Sequence, residues 1–217
     1  MKKIAVILSG CGVFDGAEIH ESVLTLLSIE QQGGQYQCFA PEMEQMHVVN
    51  HATGEVAEGE SRNVLVESAR IARGDIKQLS VVDANEFDAL IIPGGFGAAK
   101  NLCDFAVQGV DCQINQEVIT AVRAFKQANK PIGLMCIAPV MIPALFGQGA
   151  TGTIGTDVDT ASAFTQMGGV HQQADVHNIV IDESNKVVTT PAYMLATSIS
   201  EAYSGIHKLV AKVIELA

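Results

Sequence analysis

The sequence has little positive charge, no long apolar run and few charged residues of either sign. Its 13 lysines and arginines face 24 aspartates and glutamates, which gives a net charge of −11. Because an acidic surface repels phosphate backbones and anionic headgroups, neither nucleic acid nor a membrane is expected as a partner. No stretch is apolar for long enough to span a bilayer. With 48% hydrophobic and 17% charged residues, the chain is not disordered and can bury a large core.

The cysteines are odd in number and scattered along the chain. No C-x-x-C pair occurs, and the spacing fits neither a disulfide framework nor a zinc site. His47 and His51 are four residues apart, but no further ligand accompanies them, so no metal is expected. Unpaired cysteines are typical of a reducing compartment, and we therefore expect a cytoplasmic location. The five cysteines are Cys11, Cys38, Cys103, Cys112 and Cys136.

The amino-terminal residues do not have the pattern of a secretory signal. Two lysines precede an apolar run of only five residues, which ends at Ser9 and Gly10. A secretory signal needs a longer apolar run. The run instead predicts a buried first strand of a parallel sheet.

Strand and helix patterns alternate along the 217 residues. This alternation predicts a single α/β domain, residues 1–217, whose mostly parallel sheet is sandwiched between helices. Two short strands around an Asp-Glu-Ser-Asn turn predict a hairpin near the carboxyl end. The less regular segment 42–77 is interpreted as a surface connection, with a lid or an oligomer contact as the alternative. The predicted strands cover residues 3–9, 36–40, 88–92, 131–135, 179–182 and 186–190, and the predicted helices cover 17–32, 61–72, 115–128, 137–146, 159–167 and 193–216.

Cys136 lies where a predicted strand meets a predicted helix. Pro139 stands in the first turn of that helix, where a missing N–H costs little. At such a junction the chain makes a tight elbow, and the sulfur projects into the crevice at the carboxyl end of the strand. The positive end of the helix dipole favours the thiolate, which predicts a nucleophile at neutral pH. The alternative is a buried core cysteine, since free cysteine packs like a small hydrophobic residue.

A glycine-rich loop ends at the same edge of the predicted sheet. It begins with Pro93, Gly94 and Gly95 directly after a buried strand. Glycine lets backbone N–H groups approach a ligand closely, so both glycines are candidate ligand contacts. The N–H of Gly95 and that of Ile137 together would form an oxyanion hole.

Two acidic residues and one threonine complete the candidate site. Glu18 and Glu21 lie one turn apart at the start of the first helix. Complementing the helix dipole explains Glu18 well, but Glu21 less well because it lies deeper in the helix. Thr190 belongs to the connection between the last strand and the last helix, which also leaves the sheet at a carboxyl end. The alternative for this segment is a simple strand-to-helix turn.

In this order the motifs resemble those of the ThiJ/PfpI superfamily, which has the class I glutamine amidotransferase-like fold. The residues that carry the resemblance are Gly-Ala-Glu-x-x-Glu at 16–21, Ile-Pro-Gly-Gly at 92–95, Met-Cys-Ile-Ala-Pro at 135–139 and Thr-Thr-Pro at 189–191. The resemblance covers nearly the whole length and implies a single flavodoxin-like domain with a nucleophile elbow. It is strongest to a bacterial branch that is associated with isoprenoid biosynthesis and described as glyoxalases.

The resemblance implies that Cys136 is the nucleophile, that Glu21 is a buried acid beside it, and that Gly95 and Ile137 donate to the oxyanion. It also implies a homodimer, no cofactor and a small dicarbonyl substrate. Methylglyoxal or glyoxal would become lactate or glycolate through a Cys136 hemithioacetal, without glutathione. The chain departs from many relatives because Ile137, and not histidine, follows the cysteine. Glutaminase and protease activities are therefore disfavoured, since both need an imidazole to carry protons.

Two alternatives to the glyoxalase hypothesis stay open at this point. A thiolate at Cys136 is readily oxidised, so the chain is alternatively a binding or redox-sensing module without turnover. The least favoured hypothesis is an amidotransferase-like subunit. For the glyoxalase, burial and an adjacent thiolate are both expected to raise the pKa of Glu21.

Overall fold

A seven-stranded sheet forms the centre of the structure, a computed structural model that describes all 217 residues. The strands are β1 (Lys3–Ile7), β2 (Gln35–Ala40), β3 (Val49–Asn50), β4 (Glu55–Val56), β5 (Ile76–Gln78), β6 (Ala89–Ile92), β7 (Ile132–Met135), β8 (Thr151–Gly152), β9 (Val170–His171), β10 (Val180–Asp182) and β11 (Val187–Thr190). The central sheet has the order β10-β11-β7-β6-β1-β2-β5, and all its pairs are parallel except the β10–β11 hairpin. The predicted α/β, flavodoxin-like fold with a mostly parallel sheet is confirmed.

Helices cover both faces of this sheet. They are α1 (Ile19–Gln31), α2 (Val64–Ile71), α3 (Phe105–Gln108), α4 (Gln116–Gln127), α5 (Ile142–Phe146), α6 (Val158–Gln166) and α7 (Ile199–Leu216). Apolar side chains of α1 and α7 pack on one face, and those of α4, α5 and α6 pack on the other. Successive residues of β1 contribute to opposite cores, because side chains alternate across a strand. None of the helices combines the length and the apolar character that a membrane crossing requires.

Two helices begin later than the sequence predicts, because a better cap lies further along the chain. The second helix begins after Asn63 and not at Ser61, and the Asn63 side chain accepts an N–H from the first turn. The last helix begins after Ser198, whose hydroxyl caps it in the same way. Tyr193 and Met194, predicted as the start of that helix, belong to a separate 3₁₀ turn, Ala192–Met194.

The helix predicted over residues 137–146 is two short pieces. A 3₁₀ turn, Ala138–Met141, comes directly after the Cys136 elbow, and α5 follows it. Pro143 has no N–H to donate to the carbonyl of Pro139, as a continuous α-helix would require at this point. The segment behind Cys136 therefore carries a smaller helix dipole than the prediction assumed.

The segment 42–77 has more regular structure than a surface connection. It contains the β3–β4 hairpin, α2 and β5. Strand β5 pairs with β2 in parallel and extends the central sheet at its edge. This strand is absent from the prediction because it is only three residues long, and Lys77 and Gln78 are both exposed.

Candidate active site

The candidate site lies where the strand order of the sheet reverses. From β1 the chain builds the sheet outward through β2 and β5, and then returns to the other side of β1 with β6, β7 and β11. The loops at the carboxyl ends of β1, β6, β7 and β11 meet next to this point. Ligands of open parallel sheets bind in the crevice outside such a reversal.

Cys136 occupies a strained elbow at the end of β7. Its φ is +60°, a left-handed conformation that a non-glycine residue adopts at a cost of about 1–3 kcal/mol. Its backbone N–H donates to the carbonyl of Thr190, 3.1 Å away on the neighbouring β11, which fixes the elbow to the sheet. The side chain is 7% exposed and lines a cavity.

Glu21 lies fully buried next to Cys136. One carboxyl oxygen, Oε2, accepts the N–H of Gly94 at 2.9 Å, and the other, Oε1, accepts the N–H of Tyr193 at 3.1 Å. The Cys136 thiol lies beside this carboxyl group, since a Cβ atom on Gly94 would be 2.8 Å from Oε2 of Glu21 and 3.0 Å from Sγ of Cys136. Two separate loops therefore hold the Glu21 carboxyl in one position next to the sulfur.

Burial raises the pKa of Glu21 from its ordinary value of 4.5 to about 7. The N–H groups of Tyr193 and Gly94 oppose this rise because they stabilise the carboxylate, while the nearby Glu18 adds to it. The raised pKa of Glu21 agrees with the expectation from burial. Near neutral pH this carboxyl group can therefore either accept or supply a proton.

The pKa of the Cys136 thiol is raised well above its ordinary value. This direction is opposite to the lowered pKa that a thiolate at neutral pH would require. Burial is the largest cause, and the negative charge of Glu21 is the second. The N–H groups of Gly95 and Ile137 act in the opposite direction but are outweighed. The expectation relied on the dipole of a helix that is only a short 3₁₀ turn, and it left out the desolvation of the sulfur. Cys136 therefore rests as a neutral thiol that can donate to the Glu21 carboxylate.

Gly94 makes the contact between the two side chains sterically feasible. A Cβ atom at this position would lie 2.5 Å from the Cβ of Cys136 and 2.8 Å from Oε2 of Glu21. The sequence predicted that Gly94 contacts a ligand. In the structure its N–H instead donates to Glu21, so Gly94 is placed to hold the acid. Its carbonyl accepts the N–H of Glu18 at 3.0 Å, which fixes the start of α1.

Gly95 and Ile137, the predicted oxyanion donors, both lie beside the Cys136 sulfur. The N–H of each approaches the Cys136 sulfur, and both residues line the cavity. The φ of Gly95 is +90°, and a Cβ atom there would collide with the backbone of Glu18. Two N–H donors beside the sulfur can stabilise negative charge on an oxygen that forms there.

The other two predicted site residues have different surroundings. Glu18 caps α1, where its Oε2 accepts the N–H of Glu21 at 2.7 Å, and it also lines the cavity. Thr190 is fully buried, and its hydroxyl donates to the carbonyl of Asn178 at 2.8 Å. Thr190 is not among the cavity-lining residues, so its placement supports the Cys136 elbow and does not fit the expected ligand contact.

The cavity in front of Cys136 has a volume of about 460 Å³ and mostly apolar walls. Most of these wall residues carry no functional signal in the sequence. Only Tyr193 carried a signal, since it directly follows the Thr-Thr-Pro motif. The wall residues that were missed are Val13, Phe96, Ala99, Phe105, Ala106, Asp157, Thr160, Tyr193 and Met194.

No histidine lines this cavity. His20 lies on the exposed side of α1, where its Nδ1 is 2.9 Å from the hydroxyl of Tyr193. His51 contacts the carbonyl of Val49 and the N–H of Phe14 and is part of the fold of the segment 42–77. No group of three or more histidine, cysteine, aspartate or glutamate side chains is arranged to hold a metal ion.

Sequence and structure comparisons identify the family. No protein-family model matches the chain. The human "Glutamine amidotransferase-like class 1 domain-containing protein 3, mitochondrial" is 48% identical over 223 residues, which cover 99% of this chain and 83% of the human protein. The rat "ES1 protein homolog, mitochondrial" is 47% identical over 99% of this chain and 84% of its own length. The chain belongs to the glutamine amidotransferase-like class 1, or ES1, family.

Solved structures share the fold of this chain. An Ehrlichia chaffeensis "isoprenoid biosynthesis protein with amidotransferase-like domain" is 39% identical, with a TM-score of 0.92 over 100% of this chain and 99% of that one. Drosophila melanogaster DJ-1beta is 16% identical with a TM-score of 0.55 over 100% of this chain and 95% of that one, which shows a shared fold alone. The predicted class I glutamine amidotransferase-like relationship is confirmed.

The names of the ES1 relatives contradict the predicted cytoplasmic location. The human, rat and zebrafish proteins are all named mitochondrial. The prediction was wrong because unpaired cysteines indicate only a compartment that does not oxidise thiols. They do not distinguish one reducing compartment from another.

Proposed function

We propose that the chain is a cofactor-independent glyoxalase that converts methylglyoxal to lactate and glyoxal to glycolate. The observation that carries the proposal is the contact between the buried Glu21 carboxyl and the Cys136 thiol at the wall of a cavity. A nucleophile beside a group that titrates near pH 7, together with two N–H donors, is what addition to an aldehyde requires.

The first step is addition of sulfur to the aldehyde carbon. The Cys136 thiol passes its proton to the Glu21 carboxylate as the new C–S bond forms. The aldehyde oxygen gains negative charge and accepts hydrogen bonds from Gly95 and Ile137, each worth about 10²–10³ in rate in comparable sites. Glu21 then gives its proton to this oxygen, which completes the hemithioacetal and restores the carboxylate.

The second step moves a proton between the two carbons of the former dicarbonyl. The Glu21 carboxylate removes the proton from the former aldehyde carbon, which gives an enediolate, and returns it to the neighbouring carbon. The hydroxyl proton of the hemithioacetal moves to the former ketone oxygen, so the aldehyde carbon becomes the thioester carbonyl. The product is a lactoyl thioester on Cys136. Water then adds to the thioester, the C–S bond breaks, and lactate leaves while the Cys136 thiol is restored. The overall reaction adds one water to methylglyoxal and needs no oxidant or reductant.

A substitution series tests the proposal with purified protein, methylglyoxal and no glutathione. We expect Cys136→Ala to lower the rate of lactate formation by about 10³-fold or more, since no other group can form the thioester. Glu21→Gln should lower it by about 10²–10⁴-fold, because proton transfer by a side chain contributes that much. Cys112→Ser is the matched control, since this cysteine lies outside the cavity, and it should keep the rate of the unmodified chain.

Three other results would support the alternative functions. Reversible binding of methylglyoxal at Cys136 without lactate formation would favour a binding module. Rapid oxidation of Cys136 by peroxide would favour a redox sensor, although the raised pKa of the thiol argues against it, because peroxide reacts with thiolates. Hydrolysis of glutamine would favour an amidotransferase-like subunit, which the absence of a histidine in the cavity disfavours.

The homodimer and the isoprenoid link are further parts of the proposal. An apolar stripe on the exposed side of α1 is free to face a second copy of the chain. It consists of Ile19, Val23 and Leu27, which are spaced four residues apart and are 42%, 48% and 40% exposed. The link to isoprenoid biosynthesis is supported by the name of the Ehrlichia protein, which describes that protein.

A further inference from the structure

Cys103 and Cys112 form a second pair of thiols, away from Glu21 and Cys136. Their side chains are close enough for each to act on the pKa of the other, and neither is in a disulfide. Cys103 is 3% exposed, and its Sγ is 3.3 Å from the carbonyl oxygen of Ala98. Cys112 is half-buried, and its Sγ is 4.0 Å from the Sδ of Met167. The two thiols therefore differ in their access to solvent.

The backbone around the two thiols is held together at both ends. The N–H of Asp104 donates to the carbonyl of Gln113 at 3.1 Å, and the N–H of Gln113 donates to Oδ1 of Asp104 at 2.6 Å. The N–H of Asn115 donates to the carbonyl of Leu102 at 2.9 Å. These hydrogen bonds bracket Cys103 and keep Cys112 close to it. Cys103 lies opposite Ile114 in a β-bridge, so Cys112 is two residues from the position that faces Cys103.

The two thiols also differ in reactivity. The hydrogen bond from Cys103 lowers the pKa of Cys112, although partial burial opposes this effect. The same hydrogen bond and burial raise the pKa of Cys103. Since the thiolate is the attacking species in thiol–disulfide exchange, the more exposed Cys112 is the thiol that reacts first.

We propose that Cys103 and Cys112 are a reversible dithiol–disulfide site that exchanges with small-molecule disulfides. The Cys112 thiolate attacks one sulfur of the small disulfide, whose S–S bond breaks and releases one thiolate. Cys103 then attacks the Cys112 sulfur of the mixed disulfide, and the second small thiolate leaves. The proton that Cys112 lost to solvent and the proton of Cys103 protonate the two released thiolates. One small disulfide is reduced to two thiols as the protein gains one disulfide, so electrons and protons balance.

The proposed disulfide would close the loop that carries α3. Phe105 and Ala106, both in this loop, line the cavity in front of Cys136. The proposal does not depend on the glyoxalase activity, because its steps use neither Cys136 nor Glu21. It is therefore tested by the state of the thiols and not by turnover.

The test exposes the folded chain to oxidised glutathione and then alkylates the remaining thiols under denaturing conditions. We expect the unmodified chain to lose the mass of two hydrogen atoms. A protease that cuts before aspartate separates Cys103 from Cys112 at Asp104 and Asp111, so the linked peptides identify the disulfide. Reduction with dithiothreitol should restore both thiols.

Three variants assign the roles of the two thiols. Cys103→Ser should retain glutathione on Cys112. The unmodified chain should show about tenfold less of this mixed disulfide, because the adjacent Cys103 thiol has a high effective concentration and displaces the glutathione. Cys112→Ser should leave Cys103 unmodified. Cys11→Ser is the control, since Cys11 is also half-buried, and it should form the disulfide normally.

Glutathione that stays on Cys112 of the unmodified chain, with no link to Cys103, would overturn the proposal. So would equal modification of Cys103 in the unmodified chain and in Cys112→Ser. If Cys103→Ser does not fold because that residue is buried, the comparison between the unmodified chain, Cys112→Ser and Cys11→Ser still decides the question.

Discussion

The raised pKa of Glu21 makes the stability of the chain depend on pH in a way that one substitution removes. In the unfolded chain this carboxyl titrates near its ordinary 4.5, and in the folded chain it titrates at about 7. Between these values the folded state binds the proton more strongly than the unfolded state does. The contribution of Glu21 to stability is therefore complete below the unfolded pKa and is lost as the pH rises through the folded pKa.

The size of this effect follows from the two pKa values. Each pKa unit corresponds to about 1.4 kcal/mol, so the full contribution is about 3 kcal/mol, of which about 2.5 kcal/mol is lost between about pH 5 and about pH 8. Glu21→Gln cannot titrate at this position. The free energy of unfolding of the unmodified chain, minus that of the variant, should therefore fall by about 2.5 kcal/mol over this range.

Urea unfolding at the two pH values measures this difference. The absolute stability of Glu21→Gln also changes, because the amide group has only one oxygen to accept the N–H groups of Gly94 and Tyr193. That change is the same at both pH values, so it cancels when the two differences in free energy of unfolding are compared. Glu215→Gln, at an exposed carboxylate that pairs with Lys212, is the control and should show a change below about 1 kcal/mol. A difference for Glu21→Gln that stays constant with pH would refute the raised pKa.

Three further predictions follow from the same geometry. The kcat/KM for methylglyoxal should rise through about pH 7, because Glu21 must lose its proton to accept that of the thiol, and a profile that is flat from about pH 6 to about pH 8 would contradict this role. Gly94→Ala should cost about 1–3 kcal/mol in urea unfolding and abolish lactate formation, since its Cβ would lie 2.5 Å from the Cβ of Cys136. The chain should sediment as a dimer, and Val23→Glu should convert it to a monomer; a monomeric unmodified chain would contradict the role of the apolar stripe on α1.

The sequence was informative where a local pattern determines the structure. Apolar runs predicted six of the seven strands of the central sheet, and the Asp-Glu-Ser-Asn turn predicted the β10–β11 hairpin. Both features depend on residues that are near one another in the chain. The glycine-rich loop after β6 predicted a close approach of backbone N–H groups to a ligand, and the structure places Gly95 beside Cys136.

Features that depend on distant residues were not predictable in the same way. The pKa of Cys136 depends on how completely the fold removes water from the sulfur and on the charge of Glu21, which comes from another helix. The second N–H on Glu21 comes from Tyr193, 172 residues further along the chain. The contact of Cys103 with Cys112 arises only because a short loop folds back on itself.

The central claim is that the Cys136 thiol converts a dicarbonyl compound to a hydroxy acid with the help of Glu21. The most direct measurement is the amount of lactate formed from methylglyoxal at about pH 8 by the purified chain, without glutathione or any added metal, beside Cys136→Ala. The account predicts lactate in proportion to the methylglyoxal consumed by the unmodified chain, and none above the protein-free reaction for the variant. Equal lactate formation by the two proteins, or none by either, would contradict it.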